Sequence, residues 1–564
     1  MRTASAQRTK PSFNLLAVVA IVTLAVLGYV AVIWSAEFRG YSPSKAVAVR
    51  DLTLFAPLVA VFIWLVRRQR FRGELVPFTA AILLFAFGML TQYRLFSDPE
   101  YGARGVERTR AREIKTQTLR LRSVSAGYDV EKKALLFGQG GEVPEKPAGQ
   151  IQTTERTAGA LLTSVNTLVP IGAALALAAA FILFRNDRVL LFLQKHSLAI
   201  GLATLVPFAA LVIGFADEGK FLGQTTPWEP VKVLFLVSFA GALSASYRRL
   251  GRTRWGLPPF RYVVPFAVIT ALPILPFFAL SDFGQMLVFF GVYFTLYMIA
   301  VRKKAQLVYA LAMVVIVFGI FFATSGLRTG FGVPGRVYQR FHMWTHTWEP
   351  PDPAAWWWKR DFERYLKAKN LTVDMTDQQD VAQRNSEAWS DRAMQLSQGI
   401  FGVNNGRTTG AGFGLGFPET IPVSDSDFVY AAAVEETGLI GGLVITGAIA
   451  ILMLTGVAIS LGSADMFTKL IAAGLTCFFC LQAIINIAGE LRMLPMTGIT
   501  LPFVSHGGWS LITSFAMLGM LLALSHRNAT AAPRSLHEAE MHQNHASEAV
   551  SVLHKDSTIM SHFG

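Results

Sequence analysis

The chain has 564 residues, 52% of them apolar or aromatic and only 16% charged, with a mean hydropathy of +0.42. A soluble domain carries about 25% charged residues, so the composition speaks against a single water-soluble globule. The net charge of +14 does not point to nucleic acid, because no basic run alternates with stacking aromatics in a soluble segment. In a membrane chain such an excess collects in loops on the cytoplasmic side.

Apolar runs long enough to cross a bilayer, about 20 residues as helix, recur along the chain. They predict spans at 13–35, 51–66, 75–95, 158–184, 190–215, 228–246, 260–280, 283–301, 306–325, 428–461, 465–490 and 500–525. The first run is long and has no obvious small-residue cleavage site after it, so it reads as a retained helix rather than a signal peptide. Arg67, Arg68, Arg70 and Arg72 follow the second span, and Arg248, Arg249, Arg252, Arg254 and Arg261 surround the sixth-to-seventh turn. Arg302, Lys303 and Lys304 follow the eighth. All fall on the side of the N-terminus, with Asp217, Glu218, Ser281 and Asp282 opposite. Counting basic residues in this way puts both termini in the cytoplasm and two long loops, 96–157 and 326–427, outside. The only cysteines, Cys477 and Cys480, lie in an apolar run without further ligands at metal spacing, and read as packing residues.

Ionisable groups inside spans are costly and mark function by default. Glu229 and Lys232, three residues apart on one helix face, enter the sixth span from outside. Asp282 and Gln285 sit between the seventh and eighth spans, Asp427, Glu435 and Glu436 at the outer end of the tenth, and Glu490 and Arg492 at that of the eleventh. This common depth suggests a polar cavity open to the outside, in which Lys232 and Arg492 could neutralise an anionic head group. The alternative is a set of interfacial side chains and structural ion pairs. No comparable set lies in the inner half, so a path across the whole membrane is poorly supported.

Segment Leu494–Ser510 interrupts an apolar region with Pro495, Pro502, Gly498, Gly507 and Gly508. Irregular backbone at membrane depth survives only where protein or a cavity surrounds it. A broken start to the last helix is expected, with a plain external turn as the alternative. In the second long loop, Trp344, Trp348, Trp356, Trp357 and Trp358 suggest contact with the membrane interface. Ser386–Gln398 has the spacing of a short amphipathic helix. The glycines from Gly402 to Gly416 lack a GK[ST] ending and read as a close-approach loop rather than a phosphate cradle.

Taken in order, these segments resemble the SEDS family, the FtsW/RodA/SpoVE-type cell-wall polymerases. Leu494–Ser510 resembles the family's Pro-x-x-Gly-x-x-Leu-Pro-Phe-x-Ser-Tyr-Gly-Gly run, and Asp427-Phe428 with Glu435-Glu436-Thr437-Gly438 its Asp-Phe-x-x-Ala-x-x-x-Glu-Glu-x-Gly motif. Pro227-x-Glu229-x-x-Lys232 matches its Pro-Ser-Glu-x-x-Lys, and Ser281–Gln285 resembles its Pro-Asp-Leu-Gly-Thr. Gln398 with the following glycines matches the stretch before the tenth span. His506 stands where the family has Tyr, Trp509 where it has Ser, and Ser426 where it has Thr. The family's Asp-Pro-x-Gly-x-Gly-Tyr-Gln, which carries its essential Asp, is not intact. Counting back from Gln398 places that Asp near Ala388.

The resemblance implies an all-α polytopic membrane protein: a SEDS-like bundle of about ten core spans, with two extra N-terminal spans and a large extracytoplasmic loop. It divides the chain into 1–74 (cytoplasmic N-terminus and the extra helices), 75–527 (membrane domain, including the 96–157 insertion and the 326–427 loop) and 528–564 (disordered cytoplasmic tail). The implied activity is that of a peptidoglycan glycosyltransferase polymerising lipid II on the outer face of the bacterial cytoplasmic membrane, in division or shape control. Asp391, Asp352 and Glu387 are the candidate catalytic acids. Lys232, Glu229, Arg492, Asp282, Gln398, Asp427, Glu436, Ser505, Gly507 and Gly508 are the candidate substrate-binding residues. No cofactor is fixed, and a divalent cation, Mg or Mn, is left open. The implied partners are lipid II, a class B penicillin-binding protein and other divisome or elongasome membrane proteins, with no nucleic acid. Two rivals remain, a lipid II translocase and an inactive scaffold of the wall-synthesis complex.

Overall fold

The computed structural model describes residues 11–39, 43–98, 101, 165–203, 228–251, 283–301, 332–369, 371, 373 and 377–531. The predicted spans at 260–280 and 306–325, residues 102–157, Asp282 and the tail beyond 531 lie outside the described residues. Among the described residues every regular element is helical: α1 (Pro11–Phe38), α2 (Lys45–Thr53), α3 (Phe55–Arg67), α4 (Val76–Ser97), α5 (Val165–Arg185), α6 (Asp187–Lys195), α7 (Ser197–Ala203), α8 (Trp228–Leu250), α9 (Phe283–Val301), α10 (Gly332–Thr345), α11 (Lys359–Ala368), α12 (Gln378–Gly406), α13 (Val429–Gly462), α14 (Met466–Glu490) and α15 (Gly508–Ala531). A short 3-10 turn spans Pro418–Thr420. Nine of these segments, with α2 and α3 counted together, are long and apolar enough to cross a membrane. The protein is a multi-pass membrane protein.

Burial separates the centre of the bundle from its rim. In α14 and α15, 78% of the apolar window is buried, and in α4 72%, against 28% in α1 and 33% in α13. The central helices meet through residues such as Phe78, Phe85, Phe478, Phe515 and Leu522, all in one apolar core. The rim helices instead present Leu16, Leu24, Leu27, Leu443, Leu454 and Leu461 outward, faces that only an apolar surrounding such as lipid tolerates.

Polar contacts mark two ends of the bundle. At the basic end the Arg72 N–H donates to His526 Nδ1 (3.1 Å), the Glu74 N–H to Ser525 Oγ (2.8 Å), and Arg527 pairs with Asp187. At the other end lie the C-termini of α1, α4 and α14 and the N-termini of α13 and α15, together with the long loop. That loop is largely helical. α10, α11 and the first half of α12 enclose a second core of Trp358, Phe362, Leu366, Ala388, Trp389 and Leu396.

Several sequence expectations are corrected here. The helix expected at 386–398 runs from Gln378 to Gly406, because the Asp377 side chain caps it by accepting the Gln379 N–H (2.9 Å) and its Ala388, Trp389, Ala393 and Leu396 face is packed. The last span begins at Gly508 rather than 500. Before it, residues 497–507 are non-helical, and Ile499, Leu501, Phe503 and Val504 are buried in the main core, which is the protein-surrounded irregular backbone that membrane depth requires. The span expected at 190–215 is broken at His196, between α6 and α7. Not all loop tryptophans serve an interface. Trp358 is buried and donates to Asn385 Oδ1 (2.7 Å), whereas Trp348 and Trp356 are exposed.

Candidate functional site

The densest charge at the loop end gathers on Arg94, in the last turn of α4. Its guanidinium is fully buried and forks three ways: Nε to Glu436 Oε1 (2.9 Å), Nη1 to Asp98 Oδ2 (3.0 Å) and Nη2 to Glu419 Oε2 (3.0 Å). Nη2 also donates to the Gly416 carbonyl (3.1 Å). Only a planar guanidinium presents so many donors at fixed angles. The sequence reading missed Arg94, Asp98 and Glu419. The available signal was an Arg within the predicted span 75–95 with an Asp four residues on, the spacing of one helix face.

Glu436 reaches this cluster because α13 is broken. Gly438 has φ +68 and ψ −170, a left-handed conformation open to glycine and not to other residues without strain. At this break the glycine-rich segment pairs with the helix: the Ala411 and Gly412 N–H groups donate to the Glu435 and Glu436 carbonyls (both 3.0 Å), and the Leu439 N–H donates to the Arg407 carbonyl (2.8 Å). Glu435 Oε1 accepts the Phe417 N–H (3.2 Å). The expected close-approach loop is thus clamped to an interrupted helix.

Glu490 and its neighbours hold the start of the same helix. Glu490 Oε2 accepts the Ala431 N–H (2.7 Å), so a carboxylate at the end of α14 caps the N-terminus of α13, where the helix dipole favours negative charge. Asn486 Nδ2 donates to the carbonyls of Asp427 (3.1 Å) and Ile499 (2.8 Å). Ser505 Oγ accepts the Leu501 N–H (2.7 Å) and donates to the Ser426 carbonyl (2.6 Å). Gly507 precedes α15, its carbonyl accepting the Leu511 N–H (2.9 Å), and Gly508 begins it.

The remaining candidates are placed separately. Lys232 Nζ donates to Glu229 Oε1 (2.8 Å), and both side chains are buried. Arg492 binds the end of α10, Nε to the Trp344 carbonyl (2.7 Å) and Nη2 to the Thr345 carbonyl (2.9 Å), and lies over the Trp348 ring at 4.8 Å. Gln398 is partly buried on α12. Asp391 is exposed on α12 and has no hydrogen-bonding partner among the described residues. Asp352 is also exposed, its Oδ1 accepting the Ala354 N–H (2.8 Å). Glu387 is bound by Arg384 (3.0 Å) and Gln383 (3.2 Å), and these hydrogen bonds, the one from Arg384 first, hold its carboxyl below the usual range. No ion pair or hydrogen bond joins these three acids to Lys232 or Arg492 among the described residues. Ala388, where the count from Gln398 falls, is buried in the loop core.

No group of three or more His, Cys, Asp or Glu among the described residues is arranged to hold a metal ion. A cavity of about 730 Å³ opens at the basic end, lined in part by Gln194, Ser244, Tyr247, Arg248 and Thr468. Its two acids are engaged, Asp187 by Arg527 and Asp465 by the Thr468 N–H, and it lies at the opposite end from the candidate site residues that are described.

Fold and site together define a multi-pass helical membrane protein whose buried charges and glycine-clamped broken helix gather at one end. Residues 374–530, a little over a quarter of the chain, match the FtsW/RodA/SpoVE model, described as a cell cycle protein. A peptidoglycan glycosyltransferase RodA of Mycobacterium bovis is 37% identical over 132 residues, 23% of this chain and 28% of that protein. The RodA of Mycobacterium leprae is 26% identical over 308 residues, 53% of this chain and 56% of its own length. The matches thus cover less than two thirds of these relatives. A solved chain from a peptidoglycan synthase complex that coordinates polymerization and crosslinking shares 20% identity over 65% of this chain and 92% of its own, with a TM-score of 0.42.

Proposed function

We propose that the protein is a peptidoglycan glycosyltransferase that polymerises lipid II at the loop end of the bundle, on the outer face of a bacterial cytoplasmic membrane, with both termini inside. The observation that carries this reading is the content of residues 374–530. The stretch shared with the family's model holds the exposed carboxylate of Asp391, the clamped glycine loop, Glu436 and the capped start of α13. The acceptor sugar's 4-hydroxyl attacks the donor's anomeric carbon, its proton passes to a carboxylate, and polyprenyl pyrophosphate leaves. Asp391 on α12 is the proton acceptor, being the one of the three candidate acids with no engaged oxygen among the described residues, and general-base help of this kind is worth about 10²–10⁴ in rate. Cations must stabilise the charge growing on the pyrophosphate. Lys232 is the cation for that task, with Glu229 holding its ammonium in place before substrate arrives. A class B penicillin-binding protein is the fitting partner, since a strand polymerase needs a crosslinker beside it. The test is polymerisation of labelled lipid II by the purified full chain, with and without such a partner. Glycan strands are expected, and transfer of lipid II between leaflets without strand formation would favour a translocase instead.

The Glu229–Lys232 pair gives a sharper measurement. Lys232→Met alone leaves a buried carboxylate unpaired, which destabilises by about 3–5 kcal/mol. Glu229→Gln with Lys232→Met removes both charges and should restore the melting temperature. If Lys232 meets the pyrophosphate, this double variant folds and remains inactive; wild-type turnover in it would make the pair structural.

A further inference from the structure

The first helix ends against the site. Arg39, one residue beyond α1, donates from Nη2 to Glu419 Oε1 (2.9 Å) and from Nη1 to the Gly416 carbonyl (3.0 Å), with its guanidinium 4.7 Å from the centre of the Phe417 ring. One turn earlier, Ser35 packs against Gly414, whose φ of +79 and lack of a side chain allow the approach. These partners lie more than 370 residues away in the chain. An arginine that merely ends a membrane helix reaches into water. The Arg39 side chain is only 20% exposed, and the carboxylate it meets is 2% exposed.

The shared acceptors say what the contact does. Arg94 takes one oxygen of Glu419 and Arg39 takes the other, and both donate to the Gly416 carbonyl. Removing Arg39 takes a donor from Glu419 Oε1 and from that carbonyl, and a buried acceptor that loses its donor shifts or draws in water. The element free to move is the one without regular structure, the loop 410–417, whose Gly416 carbonyl both arginines bind.

We propose that Arg39 is a positioning residue: α1 delivers its guanidinium to Glu419 and the glycine loop, and so holds that loop in the shape from which Arg94 reaches Glu436. The helix lies outside the 374–530 stretch that matches the family model, yet it supplies one of the cations of the buried cluster. Only the turnover measurement below rests on the glycosyltransferase reading.

The experiment uses the full-length protein in nanodiscs as wild type, Arg39→Ala, Arg39→Lys and Arg50→Ala. Arg50 is the control, since its guanidinium pairs with Asp51 on α2 rather than with the loop. Amide exchange over 407–420 should accelerate about tenfold in Arg39→Ala, the loss of one charge-assisted hydrogen bond discounted for partial exposure, while α14 and α15 stay protected. Arg39→Lys should fall between, because an ammonium keeps the contact to Glu419 and loses the fork. Arg50→Ala should leave the loop unchanged. In the lipid II assay kcat should fall about tenfold for Arg39→Ala with KM nearly constant, the sign of a misplaced element rather than lost binding. Unchanged loop exchange in Arg39→Ala overturns the proposal, as does exchange that rises equally in α14 and α15. If the wild type makes no glycan, the proposed function fails and the exchange result still decides the role of Arg39.

Discussion

Arg94→Ala is expected to be the most damaging single substitution in the chain. It takes from Asp98, Glu419 and Glu436, all buried, the guanidinium that all three share. Breaking a buried charge cluster from one side destabilises by about 3–5 kcal/mol, a large share of the net stability of a typical domain. Low yield and a reduced Tm in detergent should result. Arg94→Lys should recover little, because one ammonium cannot reproduce the three-way fork. Arg94→Met combined with Glu436→Gln and Glu419→Gln should recover much of the Tm, since two of the buried charges that Arg94 met go with it, but no turnover. A Tm for Arg94→Ala equal to that of the wild type would show that the cluster does not hold this end together.

Asp391→Asn is expected to leave the fold intact and nearly abolish polymerisation. Asp391 is exposed on α12, and an exposed substitution changes stability by about 0.5 kcal/mol or less, whereas loss of a general base costs about 10²–10⁴ in rate. Asp352→Asn should be mild, because the amide oxygen can still accept the Ala354 N–H that shapes the turn. Glu387→Gln should be milder still. A carboxyl whose pKa is lowered by Arg384 and Gln383 is a poorer base, and its main task is the hydrogen bonds along α12. Single-turnover rates for the three variants are the measurement. A dead Asp352→Asn beside an active Asp391→Asn moves the base to Asp352, and three active variants remove the loop carboxylate from the mechanism.

The residues that were legible in the sequence share one property: their partners are close in the chain. Glu229 and Lys232 are three apart, and the pattern that placed them on one helix face also produces their ion pair. The nine described spans were legible from apolar runs alone, and residues 497–507 from their prolines and glycines. What stayed hidden depends on distant contacts. Arg94 meets Glu419 and Glu436 across more than 320 residues, and Arg39 meets Glu419 across 380. The first half of α12 was hidden because residues 378–385 carry no apolar period. That stretch is fixed by the Asp377 cap and by Asn385, whose side chain joins Trp358 to the Pro351 carbonyl. The catalytic acid was ambiguous for a related reason. The spacing from Gln398 points to Ala388, which the fold turns into the loop core.

The hairpin of α13 and α14 is fastened at both of its ends. At one, Glu490 holds the Ala431 N–H. At the other, Ser460 Oγ donates to the Lys469 carbonyl (3.0 Å) and Asn528 Nδ2 to the Ile459 carbonyl (2.7 Å). Sliding α13 past α14 by a turn, about 5.4 Å, would have to undo the Glu490 and Ser460 bonds at once, and Asn528 ties α13 to α15 as well. The hairpin therefore acts as a fixed rail. Any opening that the proposed lipid substrate requires has to come from the part mounted on that rail, the α10–α12 cap swinging about Arg492.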